Sequence, residues 1–188
     1  MSAPPELPGV VRAALDVSRR LGFLSTTRHE TGRLLATLAA TRTGTLGELG
    51  TGCGVGAAWL ASGATGGVRI VTVEVDARLA EGAREVFAGD KRVEVRTGDW
   101  TTLEQFAPFS LLFVDVREVK SGGLDRIADL VGCGDLVVLD DFTPSTAWPP
   151  LYDGRVDAMR ERWLTDERFT AVDVMVTDDA SVVLAARR

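Results

Sequence analysis

The stretch Leu46-Gly47-Glu48-Leu49-Gly50-Thr51-Gly52-Cys53-Gly54-Val55-Gly56-Ala57 decides the fold. A short apolar run enters a cluster of glycines and leaves into residues able to start a helix. Without Cβ atoms in the way, backbone at such a turn can meet a ligand closely, and in parallel α/β sheets the turn lies at the carboxyl end of the first strand. Taken alone, it also fits an ordinary tight connection between a strand and a helix.

Outward from this turn, Leu46–Leu49, Arg69–Val73, Val93–Val95, Leu111–Val114 and Leu136–Leu139 form short apolar runs that alternate with helical stretches. That alternation predicts βαβ units around a parallel sheet. Asp76 is placed to cap a helix, Gly89 to stop it, and Gly132-Cys133-Gly134-Asp135 to turn the chain into the fifth run. Further on, Val156, Met159 and Trp163 mark a helix, followed by β-rich runs at Thr170–Val176 and Ser181–Ala186. Only Thr177 to Ala180 separate the two runs, too few residues for a crossover helix, so they are expected to pair as an antiparallel hairpin. Upstream, Val11, Leu15 and Val17, then Leu34, Leu35 and Leu38, recur at helical spacing and predict two helices before the first strand. Residues 1–9, rich in proline, are expected to form a mobile leader. The expected fold is α/β: a Rossmann-like, doubly wound, mostly parallel seven-stranded sheet with a C-terminal antiparallel hairpin and two N-terminal helices. A length of 188 residues with 45% hydrophobic content fits one domain spanning 1–188.

Composition narrows the partners. The net charge is −6 and the arginines are scattered, which leaves no electrostatic footprint for nucleic acid. No window approaches about 18 consecutive apolar residues, and the start lacks a signal-peptide pattern, so no membrane is expected and the location is read as cytoplasmic. Cys53 and Cys133 have no metal-type spacing and read as small space-filling residues.

Two ligands compete for the glycine turn. Gly52 to Ala57 satisfies a G-x-G-x-x-A dinucleotide pattern, and Glu74 follows at the distance expected of a ribose-binding carboxylate, which makes an NAD-dependent oxidoreductase one reading. A pyrophosphate is anionic, however, whereas the methionine end of S-adenosylmethionine carries an ammonium and a sulfonium. Glu48 beside the first glycines suits the cation. Asp99 in Gly98-Asp99-Trp100 can accept a hydrogen bond from an adenine amino group, and a simple dinucleotide fold has no need of the terminal hairpin.

From about Thr26 onward the chain resembles class I S-adenosylmethionine-dependent methyltransferases, and within them the cation-dependent catechol and caffeoyl-coenzyme A type O-methyltransferases. The resemblance rests on Glu30 to Leu35, Glu48 to Gly52, Glu74, Gly98-Asp99-Trp100, Phe113-Val114-Asp115, Leu139-Asp140-Asp141 and Asp166 to Phe169. It implies methyl transfer to a small-molecule acceptor, through a hydroxyl oxygen. Glu48, Gly50, Thr51, Gly52 and Gly56 would surround the methionine moiety, Glu74 and Val75 the ribose, and Asp99 and Trp100 the adenine, with Asp115 closing the cofactor site. A homodimer is also implied, since the resembled enzymes are often dimers.

Asp115 ends the fourth run and Asp140-Asp141 the fifth, so their carboxylates can converge at one crevice. Either the three hold a hard cation, Mg²⁺ or Ca²⁺, or they cap the following helices and line a polar cleft without metal. Asp115 and Asp141 are the candidate catalytic carboxylates. The chain departs from the family twice: Asp141 stands where the family has asparagine, and Glu118 where it has a lysine three positions after Asp115. Arg117 is a poor base because it stays protonated, and Lys120 lies two positions beyond Glu118. The departure at Glu118 motivates a third reading, a non-catalytic S-adenosylmethionine-binding module. His29, the only histidine, is read as a surface residue or as a general base. The segment from Phe142 to Pro150 is read as a rigid surface loop or as a cover for the acceptor pocket, walled by Phe142, Trp148 and Tyr152.

Overall fold

The computed structural model describes residues 6–188. Two helices, α1 (Gly9–Leu21) and α2 (His29–Ala39), precede the first strand. Then come β1 (Thr45–Leu49), α3 (Val55–Gly63), β2 (Arg69–Glu74), α4 (Ala77–Phe87), β3 (Val93–Thr97), a 3-10 turn at Trp100–Phe106 and β4 (Phe109–Val114). The second half runs α5 (Arg117–Gly122), α6 (Leu124–Leu130), β5 (Val131–Phe142), β6 (Leu151–Tyr152), β7 (Arg155–Val156), α7 (Ala158–Thr165), β8 (Phe169–Thr177) and β9 (Ala180–Arg187). Residues 1–5 of the expected leader lie outside the described residues. Its last residue, Gly9, already begins α1.

Seven strands form one sheet in the order β3-β2-β1-β4-β5-β9-β8. The first five pair in parallel, and β9 runs antiparallel to both β5 and β8. The terminal hairpin is therefore folded into the sheet with its second strand inside and its first at the edge. The Gly132 to Asp135 turn interrupts a ladder: Val131 pairs with Phe109, and pairing resumes only at Leu136 with Leu111. The helix expected from Val156 begins at Ala158, because Val156 is taken into the small β6–β7 hairpin that closes at Asp153-Gly154.

Side-chain alternation along the strands sends residues to two cores, one on each face. Leu46, Ile70, Phe113 and Val138 pack toward Val11, Leu35, Trp59 and Ala83 on one side. Leu49, Val73, Val114 and Leu139 pack toward Leu103, Ile127 and Trp163 on the other. α3 is buried from Val55 to Ala61 because it touches α1 and α2 as well as the sheet. Asp76 caps α4 by accepting from the Arg78 and Leu79 amides at 2.8 and 3.4 Å. This stacking fixes the carboxyl ends of β1, β2, β4 and β5 side by side, where parallel α/β sheets place their ligands.

Candidate active site

A crevice opens over the ends of β1, β2 and β4 as two adjoining cavities of about 140 and 470 Å³, which share Phe23, Gly50, Glu74 and Asp115 as walls. Gly50 sits at φ +94°, and a Cβ there would come within 2.9 Å of the Asp115 carbonyl oxygen, so the turn after β1 and the end of β4 can approach only over a glycine. The Gly52 amide donates to Glu74 Oε2 at 2.8 Å and the Asp76 amide to Oε1 at 3.0 Å. These bonds fix the Glu74 carboxylate in the crevice wall while each oxygen keeps acceptor capacity.

Thr51 lines the smaller cavity and starts a chain of hydroxyls leading inward. Its Oγ1 lies 2.5 Å from Thr72 Oγ1, which donates in turn to Glu48 Oε2 at 2.5 Å. Glu48 is 1% exposed and does not line either cavity. Burial pushes its carboxyl from 4.5 up to about 8, reinforced by the charges of Asp115 and Glu74 and opposed by the Thr72 hydrogen bond. Gly56 also lies off the crevice, and a Cβ on it would fall 2.1 Å from Glu48 Oε1. The structure thus brings Gly50, Thr51, Gly52, Glu74, Val75, Asp99, Trp100 and Asp115 to the crevice surface and leaves Glu48 and Gly56 behind it.

At the far end of the larger cavity, Asp99 accepts from the Thr101 amide at 3.0 Å and its hydroxyl at 2.6 Å, and these bonds hold its carboxyl below the usual range. Trp100 is half-buried, with the Arg126 guanidinium 4.9 Å from its ring centre.

Asp115, Asp140 and Asp141 meet beside the glycine turn, each offering an oxygen within 4.8 Å of the others. Burial raises the Asp115 carboxyl well above the ordinary carboxylate value, and the charges of Asp141 and Asp140 raise it further. Asp140 is also pushed up, chiefly by burial; Thr31 Oγ1 donates to it at 3.3 Å. Asp141 has φ +62°, a left-handed conformation that aspartate and asparagine tolerate better than most side chains. Lys120, whose reach the spacing left open, is 5% exposed. Its Nζ donates to the Asp140 carbonyl at 2.8 Å and lies 3.9 Å from Asp141 Oδ2.

Beyond Asp141 a second cleft of about 460 Å³ is lined by Arg117, Lys120, Phe142, Tyr152 and Met159 among others. Trp148 is 67% exposed and lines none of the three spaces. His29 is exposed at the start of α2, with its ring 6.3 Å from the Trp59 ring, and likewise lines none of them. Cys53 is a buried residue in the wall of the smaller cavity and Cys133 is exposed; both thiols are free. Sequence reading missed Phe23 and the Ser25–Thr27 segment, which close the crevice from above the glycine turn. An aromatic directly after Gly22, which ends α1 in the left-handed conformation, was the available signal.

No protein-family model and no curated protein matches the sequence. Solved structures do. The O-methyltransferase TomG from Streptomyces achromogenes, in complex with S-adenosylmethionine, superposes with a TM-score of 0.77 at 23% identity, covering 97% of this chain and 91% of that one. An O-methyltransferase from Bacillus cereus in complex with S-adenosylhomocysteine gives 0.77 at 22%, covering 97% and 92%. The S-adenosylhomocysteine-bound methyltransferase PaMTH1 of Podospora anserina gives 0.76 at 20%, covering 97% and 89%. The chain has their fold: an α/β, Rossmann-like sheet carrying an antiparallel strand.

Proposed function

We propose that the protein is an S-adenosylmethionine-dependent methyltransferase that acts on a hydroxyl oxygen of a small-molecule acceptor. The observation that carries this reading is the meeting of two sets of groups at one crevice. Glu74 faces the space between the glycine turn and Asp99–Trp100, and Asp115, Asp140 and Asp141 stand beside that turn, with a further cleft beyond them. Neighbours of the same fold crystallised with S-adenosylmethionine or its demethylated product support the cofactor. The dinucleotide alternative has no comparable support.

When bound, S-adenosylmethionine supplies an electrophilic methyl group on a charged sulfur. The backbone of Gly50 to Gly52 and the Thr51 side chain would hold the methionine end, and Glu74 would accept from the ribose hydroxyls. Val75 would lie against the sugar, with Asp99 and Trp100 flanking the adenine. Positioning of the acceptor oxygen in line with the methyl group supplies most of the acceleration, and Asp141, 68% exposed at the boundary of both spaces, takes the hydroxyl proton. Lys120 acts as a positioning residue: by binding the Asp140 carbonyl it fixes the left-handed backbone at Asp141. With Asp141 as the proton acceptor, the reading does not depend on a lysine at position 118, whose absence motivated a non-catalytic module.

The carboxylates fit a hard divalent cation. Three oxygen donors converge, and the mutual repulsion that adds to burial in raising Asp115 is what a dication would relieve. Asp115, Asp140 and Asp141 would hold Mg²⁺ or Ca²⁺, which would lower the pKa of acceptor oxygens. We read residues 1–188 as one methyltransferase domain, cytoplasmic in location; among the described residues no helix is long and apolar enough to cross a membrane.

Calorimetric titration tests the cofactor assignment. The protein should take up S-adenosylhomocysteine, and Glu74→Ala should weaken that uptake at least about tenfold, as expected for hydrogen bonds to a charged group. Uptake of NADH without either S-adenosyl compound would overturn the assignment in favour of a dehydrogenase.

A further inference from the structure

The boundary between the cofactor crevice and the second cleft holds a cation that nothing nearby neutralises. Arg117 is the first residue of α5, is exposed, and lines both the 470 Å³ cavity and the 460 Å³ cleft. Its guanidinium has no ion-pair or hydrogen-bond partner among the described residues. The other charged groups of the cleft are committed. Lys120 is held by the Asp140 carbonyl and Asp141, and Asp157 binds the Arg160 guanidinium and caps α7 through the Arg160 amide. Phe142, Tyr152 and Met159 supply apolar and aromatic surface in the same cleft.

A guanidinium is a fork of donors matched to a planar carboxylate. Left unpaired at a cleft in a chain of net charge −6, Arg117 is the local exception to a field that repels anions. Asp141, which lines the same cleft, disfavours a carboxylate beside itself. An acceptor with an anion at one end and a hydroxyl at the other is therefore favoured with its anion on Arg117 and its hydroxyl toward Asp141.

We propose that the acceptor is an aromatic hydroxy acid whose carboxylate pairs with Arg117 while its ring lies against Phe142, Tyr152 and Met159. The role given to the hydroxyl rests on the methyl-transfer reading. Recognition of the carboxylate is a claim about binding and stands separately.

The test is calorimetric titration of the full-length protein, in magnesium-containing buffer with and without saturating S-adenosylhomocysteine. The probes are 3,4-dihydroxyphenylacetic acid and its primary amide. The acid should bind about tenfold more tightly than the amide, the preference should vanish in Arg117→Ala, and Arg117→Lys should restore part of it. Equal affinity for acid and amide, an acid preference that survives Arg117→Ala, or binding of neither probe would overturn the proposal. Absence of S-adenosylhomocysteine uptake would instead defeat the methyltransferase reading, and the acid preference would still be read from the titration without it.

Discussion

Glu48 stands directly behind the crevice without facing it. Its carboxyl is buried behind Thr51 and Thr72, and burial together with the charges of Asp115 and Glu74 lifts it to about 8. Above its unfolded value of 4.5 the unfolded chain releases this proton, whereas the folded chain keeps it until about pH 8. Stability contributed by Glu48 therefore falls as pH rises through that window. Glu48→Gln removes the proton exchange and keeps the shape. In urea unfolding, the variant should gain on the wild type by roughly 2–4 kcal/mol between pH 5 and pH 8; a difference flat with pH would mean that Glu48 is ionised in the fold. The charge argument from sequence paired Glu48 with a cationic ligand, but depth is invisible in a linear pattern. Lys120 escaped for a similar reason: its reach depends on how α5 seats against β5, which residue spacing from Asp115 does not encode.

Elements were far more legible. The five apolar runs became β1 to β5, the two upstream periodic stretches became α1 and α2, and the four residues between the last runs did force a hairpin. These signals are local, set by side-chain period and loop length. The β6–β7 hairpin was not read, although Asp153-Gly154 is a turn dipeptide and both residues adopt positive φ, 50° and 71°. Two-residue strands are too short for period 2 to register. Arg160 on α7 was equally hidden. It is fully buried, binds Asp157 at 3.0 Å and Asp173 on β8 at 2.7 Å, and lies 5.2 Å from the Phe142 ring centre. It thereby ties α7 to the sheet beside the second cleft. Arg160→Ala would leave two aspartates without their cation, one of which already has an unpartnered oxygen, Asp173 Oδ1. The expected loss is about 3–5 kcal/mol in denaturant unfolding. Arg19→Ala, which removes an exposed pair with Asp16, should cost less than about 1 kcal/mol. Similar losses in both variants would show that the Arg160 network carries no special weight.

For the whole molecule, the acidic cluster concentrates negative charge in a chain that is already negative. A cation that binds the folded state raises stability by mass action. Millimolar Mg²⁺ or Ca²⁺ should lift Tm by roughly 2–5 °C in the wild type. The paired substitution Asp115→Asn with Asp140→Asn should raise Tm in metal-free buffer, through lost repulsion, and abolish the response to the ions. An unchanged Tm in the wild type would leave the carboxylates as a metal-free polar cluster. The inserted position of β9 also bears on how the molecule is made. Once residue 142 has left the ribosome, β5 presents an open ladder edge that β8 cannot close, because β9, synthesised afterwards, must lie between them. The glycine turn and β1 to β4 can assemble during that interval, while the open side of β5 waits for residues 180–187. Until they arrive, the exposed edge of β5 is the nascent chain's point of vulnerability to mispairing and the place a chaperone would have most reason to hold.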